Sequence, residues 1–374
     1  MKLFHCDHCQ QPVYFENSRC LSCGHALAYL PDLATMASLE AVDANAWRSP
    51  LPATRGRQYR LCDNYCRHNV CNWALPAEQA GTLCASCRLT RVIPDLDQAG
   101  HKEAWYRLES AKRRLLYGLL ALKLPLANKN DDPEHGLAYE FLAESPGEGK
   151  TPVLTGHRDG VITINLAEAD DAEREKRRLQ LGEDYRTLLG HFRHEIGHYY
   201  WDRLIARSPA IERFRECFGD ERDAYDQALD RHYRQGPVKD WQENFISAYA
   251  SSHPWEDWAE TWAHYLHITD TLETATACGL SLAPPQVAQP AGDADPRARP
   301  GNSFERLIER WYPLTLVLNN LNRGLGLPDG YPFVLSDAVI DKLRFVHQTV
   351  CAIDRQPPAP VNGPGRAYAP QHVD

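Results

Sequence analysis

The sequence lacks any apolar segment long enough to cross a lipid bilayer. Its longest apolar run, "LLYGLLALKLPLA" at 115–127, contains Lys123 and Pro125, whereas a transmembrane helix needs about 20 mostly apolar residues. We interpret the run as part of a buried amphipathic helix and expect no membrane partner. Met1 is followed by "KLFHCDHC" instead of the apolar core of a secretory signal. These two absences predict a cytoplasmic protein.

The sequence also lacks an excess of positive charge, because 50 acidic residues outnumber 41 basic ones. The net charge of −9 argues against a general binder of polyanions. Residues 55–91 are an exception, because six arginines face two acids there, a local balance of six minus two, or +4. This basic patch leaves a nucleic-acid partner as the minor alternative. Its charged residues are Arg55, Arg57, Arg60, Arg67, Arg88 and Arg91 with Asp63 and Glu78.

Cysteine is nearly absent after residue 87, where Cys217, Cys278 and Cys351 alone remain of the twelve. We interpret these three as small buried apolar residues. The other nine are concentrated in the first 87 residues. Because a reducing cytoplasm keeps thiols free, this concentration indicates metal binding more than disulfides.

The first cysteine cluster has the spacing of a closed zinc site. "CDHC" at 6–9 and "CLSCG" at 20–24 each offer two thiolates to one tetrahedral ion. Gly24 follows the second pair, where a turn often requires a positive φ. The spacing predicts a structural zinc bound by Cys6, Cys9, Cys20 and Cys23.

The second cluster offers more donors than one zinc ion needs. Cys84 and Cys87 in "LCASC" form an evident pair. The spacing does not decide which residues complete the site. We predict a second structural zinc, with the remaining ligands chosen from Cys62, Cys66, Cys71 and His68.

A change of pattern near residue 95 predicts two domains. Residues 1–95 form a zinc-ribbon region, and residues 100–353 form a catalytic domain. A Pro-, Gly- and Ala-rich stretch at about 284–303 is predicted to be a flexible excursion. Residues 354–374 are predicted to be a disordered tail.

Periodicity predicts an α+β fold. Apolar residues at spacings of three and four predict a helix over 101–124, and alternation predicts strands over 137–143 and 160–166. The second strand is a candidate edge strand for an extended peptide; otherwise it is an ordinary strand. The charged stretch 167–180 is a solvated loop or a helix start, and a further helix follows over roughly 183–206. The apolar positions of the first helix are Trp105, Leu108, Ala111, Leu115, Leu119 and Leu122.

That further helix contains "HEIGH" at 194–198. Residues four apart on a helix lie about 40° apart around its axis, so His194 and His198 point the same way and can share a metal ion. Glu195 lies one step round the helix and faces a water at the metal. Gly197 leaves room close to the backbone. A catalytic zinc has three protein ligands and one open position, so the third ligand must lie elsewhere.

Two parts of the sequence offer that third ligand. Asp202 would have to reach back along the helix of the two histidines, so a surface position suits it better. The segment "SAYASSHPWEDWAETWAHYLH" at 247–267 starts a helix at Pro254 and places Glu256 and Glu260 one turn apart. We expect the first to bind the ion and the second to orient a ligating imidazole. A solvated acidic face is the alternative, but the neighbouring Trp and Tyr residues favour burial.

These motifs carry a resemblance. "HEIGH" with the later "EDWAE" resembles the glutamate zincins, in which a Glu on a second helix completes His-Glu-x-x-His. The spacing from Tyr249 to Glu256 and Glu260 is similar to that of the anthrax-lethal-factor-like metallopeptidases. Over roughly residues 1–350 the chain resembles a bacterial family of zinc-binding metallopeptidases with an N-terminal zinc ribbon. The matching stretches are "CNWALP", "LCASCRLTRVIPDL", "HEIGHYYWD", "AYASSHPWEDWAETWAHYLH" and "YPFVLSDAVIDKLRFVH".

The resemblance implies a zincin-like catalytic domain with His194, His198 and Glu256 as zinc ligands and Glu195 as general base. It also favours Cys62 and Cys71 over Cys66 in the second cysteine cluster.

The same resemblance implies that Tyr249 donates a hydrogen bond to the oxygen that becomes negative during hydrolysis. Pro254 makes a continuous helix across 249–256 improbable, so Tyr249 is predicted to lie on a turn before the ligand helix. Packing against Trp255 or Trp258 is the alternative.

The sequence therefore predicts a zinc-dependent peptidase that hydrolyses a peptide or protein substrate with a zinc-activated water and Glu195 as base. Its cofactors would be one catalytic and two structural Zn²⁺ ions. The alternatives are a nucleic-acid-associated zinc-ribbon protein with a protease domain and a non-catalytic zincin scaffold. His253, His264 and His267 are interpreted as core or surface residues, and His191 has a polar surface or a ligand-supporting role.

Overall fold

The computed structural model describes residues 1–144, 153–181, 187–281, 303–353 and 371–372. The predicted excursion at 284–303 lies outside these residues except for Ser303. The predicted tail, 354–374, lies outside them except for Gln371–His372.

Helices and strands are numbered in chain order over the described residues. The helices are α1 Asp63–Cys66, α2 His101–Ala121, α3 Asp171–Leu181, α4 Leu188–Leu204, α5 Ile211–Phe218, α6 Tyr225–Gln235, α7 Pro254–Ala277, α8 Phe304–Gly324 and α9 Asp337–Ile353. The strands are β1 Phe4–His5, β2 Pro12–Val13, β3 Ala26–Leu30, β4 Thr35–Ala41, β5 Trp47–Arg48, β6 Gln58–Leu61, β7 Ala74–Pro76, β8 Thr90–Ile93, β9 Ala138–Leu142, β10 Gly156–Arg158, β11 Val161–Asn165 and β12 Gln371–His372.

The chain forms two compact units. The first contains residues 3–121 and 125–174 together with β12, and the second contains residues 175–358 with the short stretches 1–2 and 122–124. The helix and strands of residues 101–174 thus belong to the same unit as the cysteine-rich region. The predicted division into 1–95 and 100–353 follows a different boundary and stays a prediction.

The strands all belong to the first unit. Strands β1 and β2 pair with each other, and β3-β4-β5-β6-β7 form an antiparallel sheet in that order. The third sheet has the order β10-β11-β9-β8-β12 and is mixed, because β10 alone of these runs antiparallel to its neighbour. Sequence alternation correctly predicted β9 and β11. The core of the antiparallel sheet is formed by Ala28, Leu30, Ala37, Leu39, Tyr59 and Ala74.

The interpretation of residues 160–166 as an edge strand is wrong. Strand β11 pairs with β10 on one side and with β9 on the other. Asp159 and Gly160 both adopt positive φ, 49° and 80°, and Arg158 pairs with Val161 across them. This is the two-residue hairpin turn that an Asp-Gly pair favours, and it folds the preceding residues onto the strand.

Helix α2 is more buried than an amphipathic pattern implies. Its predicted apolar positions Trp105 and Leu108 are fully buried, but so are Glu109 and Lys112, which lie four and seven residues after Trp105 on the same side of the helix. Nζ of Lys112 lies 2.9 Å from Oε1 of Glu109, and Oγ1 of Thr90 donates to the same oxygen at 2.7 Å. Each buried charge is therefore paired and hydrogen-bonded, as burial requires.

Helix α2 ends at Ala121, three residues before the predicted end. Lys123 has a φ of 56°, and Pro125 disfavours helical backbone at the residue before it. The charged stretch after β11 is largely the helix α3. None of the helices that the structure describes combines the length and apolarity needed to span a bilayer.

The second unit contains helices α4 to α9. Helix α4 begins at Leu188, where the Thr187 side chain accepts a hydrogen bond from the Gly190 N–H at 3.0 Å and caps the helix. Residues 182–186, where the predicted start fell, lie outside the described residues. Helix α7 begins at Pro254 as predicted, and the His253 side chain caps it by accepting from the Trp255 N–H.

The expectation that the last three cysteines are buried is wrong. Cys217 is half-buried, and Cys278 and Cys351 are exposed. Cys278 follows the last residue of α7 and Cys351 lies in the last turn of α9, so both occupy helix ends that the core does not cover.

Candidate metal centres

Close packing of two helices builds the principal centre, in the second unit. A Cβ atom added to Gly197 on α4 would lie 3.0 Å from the Cα of Ala259 on α7 and 3.2 Å from the Cβ of Trp262. Nε1 of Trp258 donates a hydrogen bond to the Gly197 carbonyl oxygen at 2.9 Å. The absence of a side chain at Gly197 therefore lets the "HEIGH" helix and the "EDWAE" helix come into contact.

This contact brings together the three predicted ligands. Nε2 of His194 lies 3.2 Å from Nε2 of His198 and 3.0 Å from Oε2 of Glu256. Nε2 of His198 lies 3.5 Å from the same Oε2, so the three atoms form a triangle. Zinc bonds of about 2.0–2.1 Å in tetrahedral geometry place neighbouring ligand atoms about 3.3 Å apart. Within the described part of the chain, the buried Oε2 of Glu256 has no hydrogen-bond partner. The donor set and its dimensions fit a zinc ion.

Charge also suits Glu256 to metal binding. Burial by itself would raise the pKa of this carboxyl group, but the interactions with His198 and His194 outweigh burial and hold the pKa well below its usual range. Glu256 is therefore a carboxylate, although it is only 1% exposed. A buried anion that faces two imidazole nitrogens is stabilised by a cation between them.

Glu260 orients the first imidazole. Its Oε1 lies 2.7 Å from Nδ1 of His194, and its Oε2 accepts a hydrogen bond from the Ser247 hydroxyl at 2.6 Å. Burial would lower the pKa of His194, but Glu256 and Glu260 raise it well above the usual value. The contact is the one that sequence analysis assigned to Glu260, whereas Ser247 was not predicted.

Tyr249 lies beside the metal ligands on a single 3-10 turn, Tyr249–Ser251, ahead of α7. Its ring centroid is 5.9 Å from that of His194 and 5.8 Å from that of His232. Neither Trp255 nor Trp258 is among the described ring partners of Tyr249. The choice between hydrogen-bond donor and packing residue for Tyr249 therefore stays a prediction.

Two aromatic residues at this centre were missed by sequence analysis. The Tyr225 hydroxyl donates a hydrogen bond to Oε1 of Glu256 at 2.6 Å. The Trp255 ring lies against that of His198, with 3.9 Å between centroids. No sequence signal pointed to Tyr225, because it lies 31 residues before its partner and outside every motif.

Other candidate residues stand apart from the ligand group that the described residues form. Asp202 is exposed on α4. His253 caps α7, and Nδ1 of His264 lies 2.8 Å from the Tyr331 hydroxyl. His191 is half-buried on α4 and His267 half-buried on α7.

The first cysteine cluster has the geometry of a four-thiolate site in the first unit. Sγ of Cys6 is 3.6 Å from Sγ of Cys23, and Sγ of Cys9 is 3.6 Å from Sγ of Cys20. Zinc–sulfur bonds of about 2.3 Å imply sulfur separations of about 3.8 Å. Gly24 has the predicted positive φ, 77°. All four predicted thiols thus converge.

The second cluster converges through Cys62, Cys71, Cys84 and Cys87, all of them buried. Cys66 is exposed and is not a member of this group. The ring of His68 packs edge-on against Trp105. The ligand set therefore matches the one that the family resemblance favoured.

Comparison with known proteins agrees with both kinds of centre. A family described as "Putative zinc-binding metallo-peptidase" matches residues 101–349, and a zinc-ribbon domain matches residues 3–98. The chain belongs to this metallopeptidase family. Its relatives include uncharacterized proteins of Mycobacterium tuberculosis and Mycobacterium bovis, each 48% identical over 352 residues, which is 94% of this chain and 95% of theirs. No solved structure gave a significant match.

The two matches divide the metal centres between them. The metallopeptidase match contains His194, His198 and Glu256, and the zinc-ribbon match contains both groups of four cysteines. The predicted α+β fold with a zinc ribbon ahead of a metallopeptidase domain is confirmed. Zinc binding is supported by the family and by both cysteine groups.

Proposed function

We propose that this family member is a zinc-dependent peptidase whose centre is formed by His194, His198 and Glu256. The observation that supports the proposal best is the close approach of the two histidine Nε2 atoms and Oε2 of Glu256, which lie 3.0–3.5 Å from one another. Three protein ligands leave one position of a tetrahedral ion open, as in catalytic zinc sites and unlike the closed four-thiolate sites. Zinc bound there would polarise a substrate carbonyl group and lower the pKa of a water molecule.

Glu195 is the general base in this proposal. It lies next to His194 on α4 and is 9% exposed. Burial is the main cause that raises the pKa of Tyr225 and of Tyr249, and the charges of Glu256 and Glu195 add to it. The negative charge of Glu195 therefore acts on both phenols. From this position it accepts a proton from the attacking water and passes it to the leaving nitrogen.

In this proposal, Tyr249 donates a hydrogen bond to the carbonyl oxygen of the substrate. Because the pKa of its phenol is raised well above the ordinary value, the hydroxyl keeps its proton and can donate a hydrogen bond. A donor directed at the carbonyl oxygen stabilises the negative charge that develops there during attack. Its ring lies beside that of His194, so the hydroxyl group starts close to the ligands.

The alternative nucleic-acid role has little support from the basic patch. Arg57 pairs with Asp32, and Arg91 pairs with Glu140. Both acids lie outside residues 55–91, so the local excess of positive charge is smaller in the structure than in the sequence. We therefore propose a peptide or protein substrate, and we expect the protein to act in the cytoplasm.

Comparison of wild type with Glu195→Gln tests the proposal. Expression of each in the same host, followed by mass-spectrometric identification of new protein N-termini, should yield N-termini that require Glu195. The variant should keep its zinc, because Glu195 touches water and not the ion. Identical N-terminal profiles from the two proteins, with equal zinc contents, would refute peptidase activity in that host.

A further inference from the structure

The two carboxylate oxygens of Glu256 have different environments. Oε2 lies 3.0 Å and 3.5 Å from the Nε2 atoms of His194 and His198. Oε1 accepts the 2.6 Å hydrogen bond from the Tyr225 hydroxyl. One oxygen is thus directed at the ion position and the other is held by a phenol.

The Tyr225 ring is fixed by the turn that starts the ligand helix. Tyr225 is the first residue of α6. Its ring packs edge-on against His253 and Trp255, with centroid distances of 5.1 Å and 5.6 Å. His253 caps α7, and its Nε2 lies 3.2 Å from the Asp223 carbonyl oxygen just before α6. The same few residues therefore position both the donor and its acceptor.

The phenol of Tyr225 remains a donor. Its hydroxyl group donates to the Glu256 carboxylate at 2.6 Å, so the proton stays on the phenol oxygen. A protonated phenol donates to a carboxylate and is a poor metal ligand, since protein ligands to zinc are deprotonated.

We propose that Tyr225 is a positioning residue that restricts Glu256 to binding zinc through Oε2 alone. A carboxylate binds a metal through one oxygen or both, and a second bond from Oε1 would occupy space that the open position needs. Hydrogen bonds to ligating carboxylates orient them, and their loss typically weakens metal affinity about 10–100-fold. The proposal rests on the zinc ligands of the proposed function but does not require that the substrate be a peptide.

The first test measures metal affinity and coordination without any substrate. A chelator titration first removes the most weakly held zinc, which we expect to be that of the three-ligand centre. Cobalt(II) is then added and occupies this centre, while the four-thiolate sites keep zinc. Absence of sulfur-to-cobalt charge-transfer absorption confirms this selectivity. We expect Tyr225→Phe to raise the zinc Kd about 10-fold and to weaken the visible cobalt absorption, as a change from four to five ligands does.

Tyr312→Phe is the matched control, since it removes one phenol oxygen from half-exposed Tyr312 on α8 in the same unit. It should leave the Kd and the cobalt spectrum unchanged. Equal Kd values and spectra for Tyr225→Phe and wild type would overturn the proposal. So would a tyrosinate-to-copper charge-transfer band in the copper(II) protein, because the phenol would then be a ligand itself.

A second pair of variants covers the case in which Tyr225→Phe does not fold. Tyr225→Gln and Tyr225→Leu both remove the ring, but only Gln keeps an N–H donor. If the hydrogen bond positions Glu256, the Gln variant binds zinc more tightly than the Leu variant. Equal zinc affinities in this pair would show that ring packing, and not the hydrogen bond, supports the site. Either result stands whether or not the protein cleaves peptides.

Discussion

Nζ of Lys342 lies 2.6 Å from Oδ2 of Asp257, and both side chains are buried. Asp257 directly follows the proposed ligand Glu256 in the first turn of α7, and Lys342 is on α9. The same ammonium group donates to the Asn244 carbonyl oxygen at 2.6 Å. The pair thereby connects the start of the ligand helix to α9 and to the segment that leads to Tyr249.

Lys342→Met should destabilise the zinc-loaded protein, and more at pH 8 than at pH 5. Burial raises the pKa of Asp257 to about 7 although Lys342 lowers it, so removing Lys342 raises it further. A carboxyl group with a raised folded-state pKa stabilises the fold at low pH, and in wild type this contribution is lost between the unfolded pKa of about 4 and the folded pKa of about 7. In the variant, whose folded pKa is higher still, stability continues to fall above pH 7, so the difference from wild type is larger at pH 8 than at pH 5. At pH 8 we expect the free energy of unfolding to fall by about 3–5 kcal/mol, typical of a buried charge left unpaired. Urea unfolding measures this difference. The double variant with Asp257→Leu should recover part of it. Equal losses at both pH values would contradict the argument.

The purified protein should contain three zinc ions per chain, one in each four-cysteine group and one in the three-ligand centre. Metal analysis by mass spectrometry measures this directly. His194→Ala should contain two. A wild-type value of two or fewer, from a preparation without chelators, would contradict the count. A fourth zinc ion per chain would indicate binding at the surface group of His8, His25 and Glu40.

Glu256→Ala should lose the zinc of the three-ligand centre, whereas Glu260→Ala should weaken its affinity about 10–100-fold. The reason is that Glu256 presents Oε2 to the ion position and Glu260 touches only Nδ1 of His194. Ser247→Ala, which removes the hydrogen bond to the other oxygen of Glu260, should have a smaller effect than Glu260→Ala. Competition with a chromophoric chelator ranks the three variants, and a Glu260 effect larger than that of Glu256 would exchange their roles.

Tyr249→Phe should lower kcat about 10- to 1,000-fold with zinc content unchanged, because a donor to the developing oxyanion acts mainly in the transition state. The substrate for this assay would be one identified through the Glu195→Gln comparison. Tyr312→Phe serves again as control and should retain wild-type kcat. If fully metallated Tyr249→Phe also retains it, Tyr249 has no part in the reaction.

Local spacing made much of the site predictable. His194 and His198 are four residues apart, which places them on one face of a helix, and each pair of cysteines separated by two residues forms its own turn. Strands β9 and β11 were predictable because alternation is also a local property. The third ligand was harder to predict, since its helix starts at Pro254, 60 residues after His194 (254 minus 194). The resemblance to glutamate zincins and an aromatic setting that favours burial pointed to Glu256.

Contacts between distant segments were not predictable. The hydrogen bonds Tyr225–Glu256 and Ser247–Glu260 join residues with no shared motif. Burial of Glu109 and Lys112 reverses the usual preference of charged residues, and it depends on Thr90, which no helical pattern reveals. The position of β11 inside its sheet follows from the hairpin with β10, whereas the sequence showed only that a turn preceded the strand.

The Gly197–Ala259 contact has a further consequence for how the three-ligand centre would acquire an ion. Because α4 and α7 are joined by their own packing and by the Trp258 hydrogen bond, the ligands are preorganised before any ion arrives. We expect zinc to add stability there through mass action, as RT ln(1 + [Zn]/Kd), and this pair of helices to fold without it. The four-thiolate sites differ, since small zinc ribbons commonly depend on the ion to fold at all. We therefore expect zinc at the four-thiolate sites to resist exchange, and zinc at the three-ligand centre to exchange while the fold persists.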